Sequence, residues 1–258
     1  MQALRAQASA SYAIDSDVDF DTALGKIVRH PLEVARTKSM IKGILWDNDG
    51  VLIDTEALYF QATRDVLGSA GVELSRERYV EWSLRQGRSS FDLLREQGCT
   101  PAQIEELRFQ RNQAYSRMLA NGPGMMDGIV EVLTLLRAKF RMAIVTTSRR
   151  EHFELMHQRS NLSQFFEFAL TREDYERSKP HPEPYLTALE RLQLSAKECI
   201  AIEDSQRGLA AANAAGLRCI VIPNGMTIGS AFGDAAMVIS DAAALPGALF
   251  RFARTPSF

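Results

Sequence analysis

Short apolar runs alternate with amphipathic segments along the chain from Ile41 onward. The runs suit strands that are covered on both faces, because they are short, apolar and nearly uncharged. The segments between them carry helix signals: residues 205–216, for example, begin with a capping Ser205 and stop at Gly216. The six runs are IKGILW (41–46), RMAIVTT (141–147), FFEFAL (165–170), ECIAIE (198–203), RCIVIP (218–223) and the weaker AAMVIS (235–240). This alternation predicts an α/β fold with a doubly wound, mostly parallel sheet.

The segment between the first two predicted strands breaks the alternation. It holds four helical patterns and no convincing strand, which predicts a small all-helical domain inserted into the α/β core. The chain enters the insertion at residues 54–56 and leaves it at NGPG (121–124), and these two connections form a predicted hinge. The patterns cover residues 57–71, 75–87, 89–98 and 101–122. We therefore predict a loosely attached N-terminal extension (1–40), a core (41–56 and 124–258) and a helical cap domain (57–123).

Composition and charge narrow the range of partners. The formal net charge of the 258 residues is -2 and no basic block stands out, so neither nucleic acid nor a membrane surface is an expected partner. No apolar run approaches the ~20 residues of a membrane helix. Three cysteines without a CxxC pair fit a reducing compartment, which predicts a cytoplasmic location. The oligomeric state stays open, with a monomer preferred.

Polar residues with useful chemistry follow four of the predicted strands. Because ligands collect at the carboxyl ends of parallel strands, these side chains are expected at one edge of the sheet. Carboxylates gathered there need a cation, and all-oxygen ligation selects a hard ion such as Mg2+. A lysine and a hydroxyl beside that ion make a site for a phosphate dianion. The residues are Asp47, Asp49, Thr146, Thr147, Lys179, Glu203 and Asp204.

Four motifs together resemble the haloacid dehalogenase superfamily. They are DNDGVLIDTE (47–56), the strand end at Thr146, SKPHPEPY (178–185) and IEDSQRGLAAANAAG (202–216), in that order and with the helical insertion between the first two. The resemblance spans residues 42–245 and points to the branch with a small helical cap, which includes sugar-phosphate phosphatases and β-phosphoglucomutase. It implies a Rossmann-like core. It also implies Mg2+-dependent hydrolysis of a small phosphate monoester, a sugar phosphate or similar metabolite, through an aspartyl-phosphate.

The resemblance also implies a catalytic role for each motif residue. Asp47 would attack phosphorus, and Asp49 would protonate the leaving alcohol and later activate water. The hydroxyl of Thr146 and the N–H of Thr147 would hold phosphoryl oxygens. Lys179 would neutralise charge on the transferring group. Because dehalogenases that displace halide lack the second aspartate, Asp49 favours phosphate esters over haloacids.

The same resemblance implies the metal ligands and one substrate contact. Mg2+ would be held by Asp47, the carbonyl of Asp49 and Asp204. Glu203 would either bind the ion directly or orient the lysine; the sequence leaves both readings open. Arg88 lies in a glycine-containing loop of the cap, from which such caps deliver residues that recognise substrate.

Two alternative functions stay open from the sequence. A β-phosphoglucomutase-type isomerase is associated with a histidine where this chain has Tyr59, and with a cap arginine whose closest match here is Ser90. A non-enzymatic phospho-acceptor of the signalling-receiver type would also combine a parallel sheet, acidic residues, Mg2+, a hydroxyl and a lysine. Receiver domains are about half this length, however, and have no cap.

Overall fold

A parallel six-stranded sheet forms the centre of residues 41–254, the part of the chain that this computed structural model describes (side chains to residue 252). The predicted extension over residues 1–40 lies outside the described residues. The strand order is β3-β2-β1-β4-β5-β6, and every pairing is parallel. The strands are β1 (Gly43–Trp46), β2 (Arg141–Val145), β3 (Ala169–Leu170), β4 (Cys199–Glu203), β5 (Arg218–Val221) and β6 (Met237–Val238). The predicted α/β fold is confirmed.

The direction of winding reverses at β1, and this reversal positions the site. Strands β2 and β3 follow on one side of β1, whereas β4, β5 and β6 follow on the other. Helices that leave the sheet in opposite directions open a crevice at the carboxyl ends of β1 and β4. The register pairs Trp46 of β1 with Ile202 of β4, so Asp47 and Glu203 emerge side by side at that crevice.

Helices cover both faces of the sheet, as the doubly wound fold requires. Because side chains alternate along a strand, Ile44 packs on one face and Leu45 on the other. The first face is covered by α5 (Ile129–Leu136), α6 (Arg150–His157) and α9 (Leu245–Arg254), and the second by α7 (Glu183–Leu192) and α8 (Gln206–Ala214). Each fully buried Leu or Ile stabilises the fold by about 1.5–3 kcal/mol.

The insertion between β1 and β2 contains helices at all four predicted positions. They pack around their own apolar cluster, which includes Leu67, Leu94 and Ile104. The second helix widens into a π-helical turn over Val80–Arg85, a feature that the apolar pattern did not predict. The helices are α1 (Glu56–Ser69), α2 (Arg76–Tyr79), α3 (Asp92–Glu96) and α4 (Pro101–Ala120). The domain boundaries at residues 57 and 123 stay predictions.

Local signals explain where several elements begin and end. The Ser205 hydroxyl accepts the Gly208 N–H and caps α8, and Gly216 follows the helix with a φ of 78°. The predicted strand over residues 165–170 is shorter than expected. Only its last two residues, Ala169 and Leu170, are paired in the sheet, although the Glu167 N–H also donates to a carbonyl of β2, that of Met142. Its start belongs to a 3-10 turn that ends at Phe165.

Two further expectations concern the whole of the described segment. None of its helices is both long and apolar enough to cross a bilayer. The cysteines Cys99, Cys199 and Cys219 are all free, as their spacing predicted.

Candidate active site

The loop after β1 turns sharply and places Asp47 and Asp49 at the sheet edge. The carbonyl of Asn48 accepts hydrogen bonds from the backbone N–H groups of residues 51–53, which closes the turn. Gly50 has a φ of 77°, and a Cβ added there would lie 2.6 Å from a carboxylate oxygen of Asp204. A glycine is therefore needed both for the backbone conformation and for the close approach to β4.

Three buried carboxylates form the acidic cluster at this edge. Oxygen atoms of Asp47, Glu203 and Asp204 lie within 4.8 Å of one another, so Asp47 and Asp204 are close enough to share one ion. Burial raises the pKa of Asp47 to about 7 and the pKa of Asp204 well above its usual value. A divalent cation would offset this cost, and the all-oxygen donor set fits Mg2+. The Asn224 amide donates to Asp204 (2.6 Å) and holds it in place.

Lys179 joins the acidic cluster to the end of β2. Its ammonium donates to Asp47 Oδ1 (2.8 Å), to Glu203 Oε1 (2.7 Å) and to the carbonyl of Val145 (2.7 Å). Burial alone would lower the pKa of Lys179, but the two carboxylates outweigh it and raise the pKa above its usual value. The lysine therefore stays charged beside Asp47. A positive charge is what it needs in order to neutralise negative charge on a transferring phosphoryl group.

Glu203 is occupied mainly by Lys179 and its neighbours. Oxygen Oε1 accepts from Lys179 and from the Tyr185 hydroxyl (2.6 Å). The carboxylate lies against Gly208, where an added Cβ would overlap it. These contacts favour the reading in which Glu203 orients the lysine over the reading in which it binds the ion directly.

Asp49 lies among hydroxyl groups, in contrast to Asp47. Its carboxylate accepts from Thr55 (2.7 Å), Thr146 (3.0 Å) and Ser148 (2.8 Å). The two aspartates therefore have different partners, one a cation and the other three hydroxyls. The predicted contact of Thr146 with phosphate stays a prediction. Its single hydroxyl proton serves Asp49 here and would have to be redirected to a phosphoryl oxygen.

A histidine supports the catalytic loop from behind. The side-chain oxygen of Asn48 lies 2.7 Å from Nε2 of His157 on α6, and Nδ1 of this histidine lies 3.0 Å from the Ser160 hydroxyl. Burial lowers the pKa of His157 to about 4, so the ring is neutral at pH 7. These contacts give His157 a structural role behind the catalytic loop.

A cavity of about 570 Å³ separates the carboxyl ends of the strands from the helical insertion. Its floor includes Asp47, Asp49 and Lys179, and its roof is formed by the insertion. Arg88, predicted to contact substrate, lies in the wall. Its guanidinium is already paired with Asp92 and Glu96 and stacks 3.5 Å above the ring of Trp82. Those pairs hold it against the insertion itself.

Sequence reasoning missed several charged residues of this cavity, among them Arg207 and Glu56. Arg207 lies in the first turn of α8, and its guanidinium donates to the Thr147 hydroxyl (3.2 Å). Glu56 begins α1 and accepts from the Tyr79 hydroxyl (3.2 Å); burial raises its pKa to about 7. Both residues lie inside the motifs that carry the resemblance, within ten residues of the strand ends in the sequence. That position was the available signal that they line the site.

The fold and the site together define a class of enzyme. A parallel sheet wound in both directions presents paired aspartates, a buried lysine and an acidic cluster to one cavity under a helical insertion. Residues 44–222 match the model of the haloacid dehalogenase-like hydrolase family. The chain belongs to that family, and the predicted kind of enzyme is confirmed.

Relatives in the family cover most of the chain. Protein CbbY of Rhodobacter capsulatus is 32% identical over 79% of this chain and 95% of its own. The phosphorylated carbohydrates phosphatase of Thermotoga maritima is 29% identical over 70% of this chain and 84% of its own. The crystal structure of CbbY from Rhodobacter sphaeroides in complex with phosphate is 27% identical. It covers 80% of this chain and 96% of its own, with a TM-score of 0.68.

Proposed function

We propose that the chain is a Mg2+-dependent phosphatase that hydrolyses a small phosphate monoester through a phosphorylated Asp47. The observation that carries this proposal is the buried hydrogen bond from Lys179 to Asp47. Asp47 lies beside Asp204 in the acidic cluster and two residues before Asp49 in the sequence. The name of the Thermotoga maritima relative supports a sugar phosphate or a similar metabolite as the substrate.

The reaction divides into two displacements at phosphorus. In the first, a carboxylate oxygen of Asp47 forms a bond to phosphorus, the bond to the leaving oxygen breaks, and Asp49 gives that oxygen a proton. In the second, Asp49 removes a proton from water, the water oxygen bonds to phosphorus, and the bond to Asp47 breaks. The products are an alcohol and inorganic phosphate.

The surrounding residues position the groups that react. Asp47, Asp204 and the carbonyl of Asp49 would hold Mg2+, which supplies positive charge for the phosphoryl oxygens when bound. Lys179 adds a second positive charge, and Glu203 fixes its direction. Thr147 would donate its N–H to a phosphoryl oxygen.

Hydrolysis of nitrophenyl phosphate and of a panel of sugar phosphates, with and without Mg2+, tests the proposal. The wild-type protein should release phosphate only with the metal, and Asp47→Asn should abolish release because the nucleophile is lost. Asp65→Asn, on the exposed face of α1, is the matched control and should retain activity. Release of phosphate by Asp47→Asn at the wild-type rate would refute the assignment.

The role of Asp49 has a separate test. Asp49→Asn should slow hydrolysis of alkyl phosphates more than that of nitrophenyl phosphate, since nitrophenolate leaves without a proton. Equal losses on both substrates would remove Asp49 from the acid role. Steady production of glucose 6-phosphate from β-glucose 1-phosphate and a bisphosphate primer would instead indicate a mutase.

A further inference from the structure

Arg207 lies in the first turn of α8 and lines the cavity that also holds Asp47 and Lys179. One of its terminal nitrogens donates to the Thr147 hydroxyl (3.2 Å), whereas its Nε is buried and has no hydrogen-bond partner within residues 41–252. None of the ion pairs in that part of the chain includes Arg207. A guanidinium is always charged and has five N–H donors, so the protein itself uses little of the binding capacity of this side chain.

The contact with Thr147 places Arg207 beside the expected position of the reacting phosphate. The backbone N–H of Thr147 is the proposed donor to a phosphoryl oxygen, and the hydroxyl of the same residue accepts from Arg207. Burial alone would lower the pKa of Arg207, but the nearby carboxylates of Glu56 and Asp47 outweigh it and raise the pKa. The guanidinium therefore lies near both the proposed nucleophile and a proposed phosphate donor.

The charges at the floor of the cavity leave the reacting phosphate without a cation of its own. Asp47, Glu203 and Asp204 together contribute three negative charges. A divalent ion would contribute two positive charges and Lys179, paired with Asp47 and Glu203, contributes the third. A phosphate monoester adds about 1.5 to 2 negative charges at neutral pH. Positive charge that faces this phosphate therefore has to come from the wall of the cavity.

Other arginines that line the cavity are engaged elsewhere by the protein. Arg88 and Arg108 pair with carboxylates of the insertion. Arg111 stacks over a tyrosine ring of the insertion, and Arg172 donates to two backbone carbonyls. Among the described residues, Arg207 is therefore the arginine that contacts a residue proposed to bind the reacting phosphate.

We propose that Arg207 is a further catalytic residue, which donates hydrogen bonds to oxygen atoms of the phosphoryl group during both displacements. The inference rests on the proposed function, because it concerns the same reaction. Arg207 neither gains nor loses a proton, since a guanidinium stays protonated; the bonds to phosphorus change as described above, and the proton transfers belong to Asp49. Its planar fork can bind two phosphoryl oxygens at once, with hydrogen bonds that the charge strengthens.

The alternative is that Arg207 only positions Thr147, and two substitutions separate the two roles. Arg207→Gln keeps an amide that can donate to the Thr147 hydroxyl, but it removes the charge. Arg207→Ala removes both and leaves room for a guanidinium ion added from solution. Arg64→Ala removes an arginine from the exposed face of α1 and is the matched control.

The kinetics of nitrophenyl phosphate hydrolysis at saturating Mg2+ give the first readout. Arg207→Gln and Arg207→Ala should both lower kcat/KM by about 10²- to 10³-fold, the usual cost of removing one donor aimed at developing charge. Arg64→Ala should retain the wild-type value. The Mg2+ affinity, measured by calorimetric titration, should be the same in all four proteins, because Arg207 contacts none of the acidic cluster.

Chemical rescue gives the second readout, which a merely structural role would not produce. Millimolar guanidinium chloride should raise the rate of Arg207→Ala about tenfold, because the free ion restores a charged donor. Urea has nearly the same shape but no charge, and sodium chloride supplies only ionic strength. Neither should raise the rate of Arg207→Ala, and guanidinium should not raise the rate of the wild-type protein.

Two results would overturn the inference. A wild-type kcat/KM in Arg207→Gln would mean that the contact with Thr147 is sufficient, and equal effects of guanidinium and urea on Arg207→Ala would mean that the charge has no role. If circular dichroism shows that Arg207→Ala does not fold, the result for Arg207→Gln decides. Failure of the proposed function is separate, since the wild-type protein itself would then show no Mg2+-dependent hydrolysis.

Discussion

Among the described residues, Lys179 is the one cationic side chain that contacts the acidic cluster directly, and Lys179→Met removes it. The Lys179 side chain is 2% exposed, and its ammonium donates to Asp47, Glu203 and the carbonyl of Val145 at 2.7–2.8 Å. Methionine fills a similar volume but offers no donor. The substitution therefore leaves two carboxylates and one carbonyl in a buried position without this partner.

The expected cost is large compared with the stability of a domain. Removing one member of a buried ion pair typically costs about 3–5 kcal/mol, because the other charge stays buried and unpaired. For a domain of this size each kcal/mol shifts the melting temperature by about 2–4 °C, so a fall of about 6–20 °C is expected. Because domains are stable by only about 5–15 kcal/mol, this loss is a large fraction of the free energy of unfolding.

Urea denaturation in EDTA at pH 7.5, followed by circular dichroism, measures this loss. Lys42→Met is the matched control: it removes the same kind of side chain from the exposed pair with Glu198, in which the lysine side chain is 56% exposed. Such surface pairs contribute about 0–1 kcal/mol. Equal losses in the two variants would refute the view that the buried contacts of Lys179 stabilise the fold.

Two further predictions concern the acidic cluster and its support. Gly208→Ala should lower the free energy of unfolding by about 1–3 kcal/mol, because the added Cβ overlaps the carboxylate of Glu203. Gly68→Ala, whose Cβ meets nothing within 4 Å, should raise it by about 0.5–1 kcal/mol, and denaturation curves decide both. Burial raises the pKa values of Asp47 and Glu56 to about 7, from 3.8 and 4.5. The folded state then binds more protons than the unfolded state between about pH 4 and 7, so the stability of the metal-free protein should fall as the pH rises through that range. A stability that rises instead, measured in EDTA, would contradict the assigned burial.

Much of the fold could be predicted because local and long-range signals agree. Ser205 and Gly216 mark the ends of one helix, and the apolar runs mark the strands. Helices α5, α6 and α9 were not singled out in advance, although they cover a face of the sheet. The π-helical turn over Val80–Arg85 could not be predicted, because the spacing of apolar residues does not show where a helical turn contains one extra residue.

The site was predicted less completely than the fold. Residues at strand ends could be brought together because parallel strands end at one edge, which placed Asp47 beside Asp204. The direction of a long side chain depends on its neighbours in space. The sequence could therefore not show that Arg88 is held by Asp92 or that Arg207 points into the cavity.

The stereochemical outcome at phosphorus tests the central claim most directly. A phosphorothioate analogue of the substrate, made chiral at phosphorus with two oxygen isotopes, is hydrolysed in water that carries the third oxygen isotope, and the configuration of the released thiophosphate is determined. Transfer to Asp47 followed by transfer to water inverts phosphorus twice, so the account predicts net retention. Net inversion would mean that water attacks the substrate in one step, and it would contradict a phosphorylated Asp47.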